Sequence, residues 1–159
     1  MNVHTILNAK KKKPYFLFQT APDEYMEVVN YFENTRPAKD SSWTINIQKI
    51  FSLEKEGEER NFLKSYSNKT LLWYGARITN YAKILFQGFK FQPKCHDSVY
   101  KYGRGLSFYD MVSSAATFCY ANENMKEGYI MLCEVALGNI TTIVEGRNEV
   151  MYFPKDCTR

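Results

Sequence analysis

The stretch from Leu71 to Leu137 constrains this chain most, because hydrophobic period and glycine placement change along it in a definite order. Thr70–Tyr74 is short, apolar and bounded, which predicts a buried strand running into Trp73-Tyr74-Gly75-Ala76-Arg77. Tyr81, Ile84 and Leu85 then recur at helical spacing, with Thr79 or Asn80 as the cap and Gly88 as the stop. A loop rich in Gly, Lys and aromatics follows, carrying Phe89, Phe91, Pro93, Tyr100 and Tyr102. Asp110 opens a second helical segment to Tyr120, whose Met111, Val112, Ala115, Ala116 and Phe118 suit packing on a sheet. Tyr129–Leu137 reads as a strand, and Ile140, Thr142 and Val144 suggest one more. Periodicity supports a mixed α and β domain.

Upstream, Pro22 and Asp23 mark a helix start, and Tyr25, Met26, Val28, Val29 and Phe32 keep a helical period to Asn34. Trp43, Ile45 and Ile47 alternate, while Ile50, Phe51 and Leu53 continue out of phase, which predicts a strand with a bulge or twist. Glu58–Tyr66 is expected to be a short helix. Tyr15–Phe18 is a candidate short strand, and Met1–Lys13 is expected to be unstructured.

The 159 residues are enough for one domain that buries about two-thirds of its unfolded surface. A hydrophobic content of 45% argues against a disordered chain. The net charge of +4 comes from Lys10–Lys13, since the rest of the chain holds 17 Lys and Arg against 17 Asp and Glu. That arm, within residues 1–20, reads as a solvated tail, a localisation signal or a weak nucleic-acid contact. No run reaches the roughly 18 apolar residues of a membrane span. Cys95, Cys119, Cys133 and Cys157 lack a CxxC pair, and adjacent Cys95-His96 does not suit two ligands on one face, so no metal is expected.

The order of these segments resembles the catalytic domain of poly(ADP-ribose) polymerases (PARPs), which transfer ADP-ribose from NAD+. Three stretches carry the resemblance: Leu71-Leu72-Trp73-Tyr74-Gly75-Ala76-Arg77, Gly105-Leu106-Ser107-Phe108-Tyr109-Asp110-Met111-Val112, and Cys133-Glu134-Val135-Ala136-Leu137-Gly138. Ile50-Phe51-Ser52-Leu53-Glu54-Lys55-Glu56-Gly57 is similar to the strand that begins the transferase fold. The resemblance implies an α+β ADP-ribosyltransferase fold of two packed, mostly antiparallel sheets with flanking helices. It assigns residues 21–159 to a partial domain whose C-terminal part is missing.

The family uses a His-Tyr-Glu set. The His orients the adenine-side ribose, the Tyr stacks on nicotinamide, and the Glu bonds the nicotinamide ribose. By the resemblance, Tyr74 stands at the His position and Ser107 at the Tyr position, and the Glu is absent; Glu145 and Glu149 lie too near the last motif to match. Gly75 keeps a backbone able to approach a carboxamide, whereas Ala76 and Ala115 lack hydroxyls found in the family. Phe118 replaces a second stacking Tyr and keeps its ring. Arg77 is retained for either a core ion pair or a ligand contact. Lys83 stands where the family often has Gly, and Lys90 where a basic residue near the adenine or phosphates is usual. Tyr109, two residues past Ser107 on the same side of an extended segment, is a candidate substitute ring.

These substitutions imply a degenerate, inactive member acting as a binding or regulatory module. The alternatives are an active NAD-dependent transferase with substituted site residues, a nucleic-acid or ADP-ribose polymer binder led by Lys10, Lys11, Lys12 and Lys13, and a fragment of a larger polymerase. NAD is the implied substrate if the chain is active. A protein partner covering the incomplete sheet edge is expected, as is an intracellular location, in nucleus or cytoplasm.

Overall fold

A computed structural model describes residues 2–8, 17–19, 22–36, 44–53, 68–90, 105–121, 125–140 and 142. In chain order the elements are β1 (Asn2–Asn8), β2 (Leu17–Gln19), α1 (Pro22–Asn34), β3 (Asn46–Leu53), β4 (Lys69–Gly75), α2 (Ile78–Gln87), α3 (Val112–Thr117) and β5 (Glu127–Ala136). The strands form one five-stranded sheet in the order β2-β3-β1-β5-β4. β2–β3 and β4–β5 are antiparallel, whereas β1 runs parallel to both of its neighbours.

The α+β class expected from the sequence therefore stands, with two corrections among the described residues. There is one mixed sheet rather than two packed, mostly antiparallel ones. The segment expected to be unstructured holds β1, the middle strand. Val3, Thr5 and Ile6 are β-branched and favour a strand, but the partners that fix it lie more than 40 residues away in sequence, at Asn46 and beyond. The run Lys10–Lys13, the helix expected at Glu58–Tyr66, Phe91–Tyr102, Cys95, His96, Cys157, Val144, Glu145 and Glu149 lie outside the described residues. The further strand expected from Ile140 is not seen at Ile140 or Thr142, where the backbone is irregular.

The bulge expected in the third strand is present. Val3 pairs with Ile47 but His4 with Lys49, so Gln48 is the extra residue. One inserted residue flips the phase of every side chain beyond it. That is why Ile45 and Ile50, an odd and an even position, both reach the same core cluster.

Alternation along β4 and β5 divides the core between the two faces of the sheet. Trp73, Ile130 and Leu132 pack with Val28 and Phe32 of α1 and with Val112, Ala115 and Ala116 of α3. Met131 and Cys133, with partly buried Tyr74, Tyr129 and Val135, pack with Tyr81, Ile84 and Leu85 of α2. Trp73 is fully buried, and its Nε1–H donates to Thr35 Oγ1 at 2.9 Å, so the indole hides no unpaired donor. The Thr35 carbonyl in turn accepts from Val112 N–H at 3.1 Å, which ties the end of α1 to the start of α3.

Candidate functional site

The site begins where β4 meets the segment before α3. Trp73 and Tyr109 exchange both backbone hydrogen bonds, at 2.7 and 2.8 Å, forming a single antiparallel bridge on the outer side of β4. This fixes the phase of the 107–109 segment. Phe108 joins the α2 face of the sheet, and Tyr109 packs against the Trp73 cluster on the other.

On the Trp73 face, the Tyr109 ring lies on Phe118, with centroids 5.1 Å apart and planes only 21° from parallel. The Tyr109 phenol shares a hydrogen bond with the Ser107 side chain, while burial, the larger effect, raises its pKa. Sequence reasoning offered Tyr109 as a replacement platform for a ligand. The structure places it on the other platform residue, so Tyr109 covers one face of the ring that Phe118 keeps.

Gly75, the last residue of β4, sits against α3. A Cβ added to Gly75 would come within 1.8 Å of the Ala115 carbonyl oxygen. That carbonyl also accepts from Phe118 N–H at 3.1 Å, at the end of α3. The close approach that glycine permits is therefore used by the protein's own backbone.

On the opposite face, the Tyr74 ring is edge-on to Phe89 at 4.9 Å and tilted against Phe108 at 5.5 Å, and Phe89 and Phe108 meet at 5.6 Å. The three rings fill one cluster beside Tyr81. The Tyr81 hydroxyl donates to the Tyr129 carbonyl at 2.5 Å and lies 3.3 Å from that of Tyr74, and burial drives its pKa far up. Tyr74 and Gly75 are adjacent in sequence but serve the two different faces.

Ala76 is buried with this second cluster. Arg77 is exposed, and its guanidinium lies 4.1 Å from the Tyr120 ring centroid, a cation–π contact rather than the core ion pair considered from sequence. Tyr120 holds a left-handed φ of 55°, an uncommon conformation for a bulky residue. Lys83 and Lys90 are exposed. Neither Thr79 nor Asn80 caps α2: Arg77 occupies the cap position and makes no side-chain cap bond. Asp110 lies just before α3, its carboxylate accepting from Met111 N–H at 2.8 Å.

The structure thus brings together Gly75, Ser107, Tyr109, Ala115 and Phe118 on one face and Tyr74 with Phe89 and Phe108 on the other. Tyr120 and Phe89 were not singled out as site residues by sequence; the aromatic density of their loops was the available signal. Cys119 is buried, with its thiol 3.1 Å from the Tyr129 carbonyl and its pKa pushed up to about 11 by burial. A thiol so held is a poor nucleophile and ligand. Among the described residues no three His, Cys, Asp or Glu side chains converge on a metal-sized site. No described helix is long and apolar enough to cross a membrane.

A family model described as the poly(ADP-ribose) polymerase catalytic domain matches residues 22–157. Poly [ADP-ribose] polymerase 2 of Zea mays is 38% identical over 136 residues, covering 84% of this chain and 21% of that protein. The protein of the same name from Arabidopsis thaliana is 38% identical over 133 residues, covering 82% and 20%. Poly [ADP-ribose] polymerase 1 of Danio rerio is 37% identical over 135 residues, covering 77% and 13%. The chain spans about one-fifth or less of the length of these curated relatives.

Proposed function

The chain belongs to the poly(ADP-ribose) polymerase catalytic-domain family, and from that premise we propose that it is a degenerate NAD+ ADP-ribosyltransferase domain acting as a binding or regulatory module. The observation that carries the reading is the Tyr109 ring stacked on Phe118 at 5.1 Å. An aromatic ligand such as nicotinamide needs that ring face free, and the protein's own phenol covers it.

Three further features support the same reading. The Ala115 carbonyl is packed into the space a Gly75 side chain would take, so this backbone approach serves helix packing. Tyr74 is wedged between Phe89 and Phe108 and offers a phenol where the family places an imidazole. Ser107 and Ala115 supply neither the ring nor the hydroxyl that the family uses. Losing one polar contact to a ligand weakens it by about 1–3 kcal/mol, so several losses together remove most affinity. The residues present do not fit NAD+.

Label transfer from radiolabelled NAD+ tests the reading. The purified, folded chain is expected to label neither itself nor added protein above a heat-denatured control. Time-dependent, benzamide-sensitive incorporation would restore the enzyme reading and direct attention to a carboxylate outside the described residues.

A further inference from the structure

α1 and α2 lie on opposite faces of the sheet and carry opposite charge. α1 holds Asp23, Glu24, Glu27 and Glu33 and no Lys or Arg, whereas the stretch Arg77–Lys90, which includes α2, holds Arg77, Lys83 and Lys90 and no Asp or Glu. Of the two exposed acids of β5, alternation puts Glu134 on the α1 face with Ile130 and Leu132, and Glu127 on the α2 face with Tyr129. Such a separation of charge steers an anionic ligand toward α2 and away from α1.

The charge along α2 is interleaved with rings. Tyr81, Ile84 and Leu85 turn toward the sheet, which leaves Thr79, Ala82, Lys83 and Phe86 on the exposed side. Lys83 and Phe86, three residues apart, are neighbours on the helix surface, and Phe86 is 79% exposed, more than any other large apolar side chain described. At the head of α2 the Arg77 guanidinium stands 4.1 Å from the ring centroid of Tyr120, itself 55% exposed. Arg77 and Lys83 are about 9 Å apart along the helix axis, close enough for one strand to meet both. Cations for phosphates beside rings for bases are the combination that holds single strands without reading their sequence. A lipid surface fits less well, because an interfacial helix buries a broad apolar face in the membrane, and the apolar face of α2 is turned to the sheet.

We propose that the α2 face binds single-stranded nucleic acid, with Lys83 and Lys90 on phosphates and with Phe86 and the Arg77–Tyr120 pair stacked on bases. This surface is separate from the stack of Tyr109 on Phe118, so binding is independent of whether the chain transfers ADP-ribose. It is also separate from Lys10–Lys13, the basic run that stands out in the sequence.

Fluorescence anisotropy of a labelled oligodeoxythymidine of about 15 nucleotides, titrated with the full chain, provides the test. Saturable binding is expected, weakening as salt rises. Lys83→Gln should lower the slope of log affinity against log salt by about 0.7, the share of one phosphate contact on a single strand. Phe86→Ala should weaken binding about 5- to 150-fold, the loss of one stacked base, and should change nothing on an abasic strand of the same length. Both effects should persist when Lys10–Lys13 are replaced by Ser. No binding by the parent chain, binding that disappears with the four lysines, or binding indifferent to both α2 substitutions would overturn the proposal. An equal loss on the abasic strand would overturn it by removing the stacked base. Binding to phosphatidylserine vesicles or to poly-glutamate as tight as to the oligonucleotide would overturn it too, by giving the face to a membrane or to an acidic protein.

Discussion

Gly75→Ala is the most demanding perturbation of this packing, because it adds a single carbon at the tightest approach in the site. The new Cβ would stand 1.8 Å from the Ala115 carbonyl oxygen and 2.6 Å from its carbonyl carbon. Ordinary van der Waals contact begins near 3.4 Å, so β4 and α3 must part by about 1.6 Å. The obstacle is backbone, so no rotamer change relieves it. Nor is α3 free to slide: Val112 N–H is bonded to the Thr35 carbonyl at 3.1 Å, and the Cys119 thiol to the Tyr129 carbonyl at 3.1 Å. Overpacking of this kind costs about 1–3 kcal/mol, more where the neighbours cannot move. We expect a loss near the upper end, about 3 kcal/mol, which for a chain of 159 residues is a fall of roughly 6–12 °C in Tm. Urea and thermal unfolding followed by circular dichroism measure it. Stability within about 0.5 kcal/mol of the parent, an ordinary surface-substitution effect, would refute the contact and free Gly75 for a ligand.

Two further outcomes follow from the buried polar groups. Thr35→Val removes the acceptor of the fully buried Trp73 indole and should lower unfolding stability by about 1–3 kcal/mol in urea, with a small effect showing that the indole finds another partner. Burial raises the Cys119 pKa from 9.0 to about 11, so the unfolded chain ionises first and stability should fall as pH rises from about 9 to about 11, by an order of 2–3 kcal/mol. Cys119→Ala should flatten that slope, and an unchanged slope would place the alkaline loss elsewhere.

Much of the fold was legible because its signals are local. Pro22, the acidic first turn and the spacing of Val28 and Phe32 locate α1 from Pro22 to Asn34, as observed. The phase slip between Ile47 and Ile50 announces the bulge at Gln48. β1 was hidden because its pairing is entirely long-range, and because the lysines that follow give the segment the composition of a tail. Thr79 or Asn80 as the cap would start α2 two or three residues late: Ile78 is helical without any side-chain cap, and the Asn80 N–H donates to the Arg77 carbonyl instead. At the site, the motifs identified which positions to inspect, but not what the replaced side chains do. The stacking of Tyr109 on Phe118 depends on the bridge between Trp73 and Tyr109, 36 positions apart in sequence, which no local pattern encodes.

The central claim, that the protein fills its own nicotinamide-type subsite with Tyr109, is tested most directly by calorimetric titration with benzamide. The unaltered chain and Tyr109→Ala would be compared, each first shown to be folded. The account predicts no saturable heat from the unaltered chain and weak, saturable binding once the ring is removed and the covered face of Phe118 is opened. Saturable binding by the unaltered chain, left intact or weakened by Tyr109→Ala, would contradict it and make Tyr109 part of a working ligand platform.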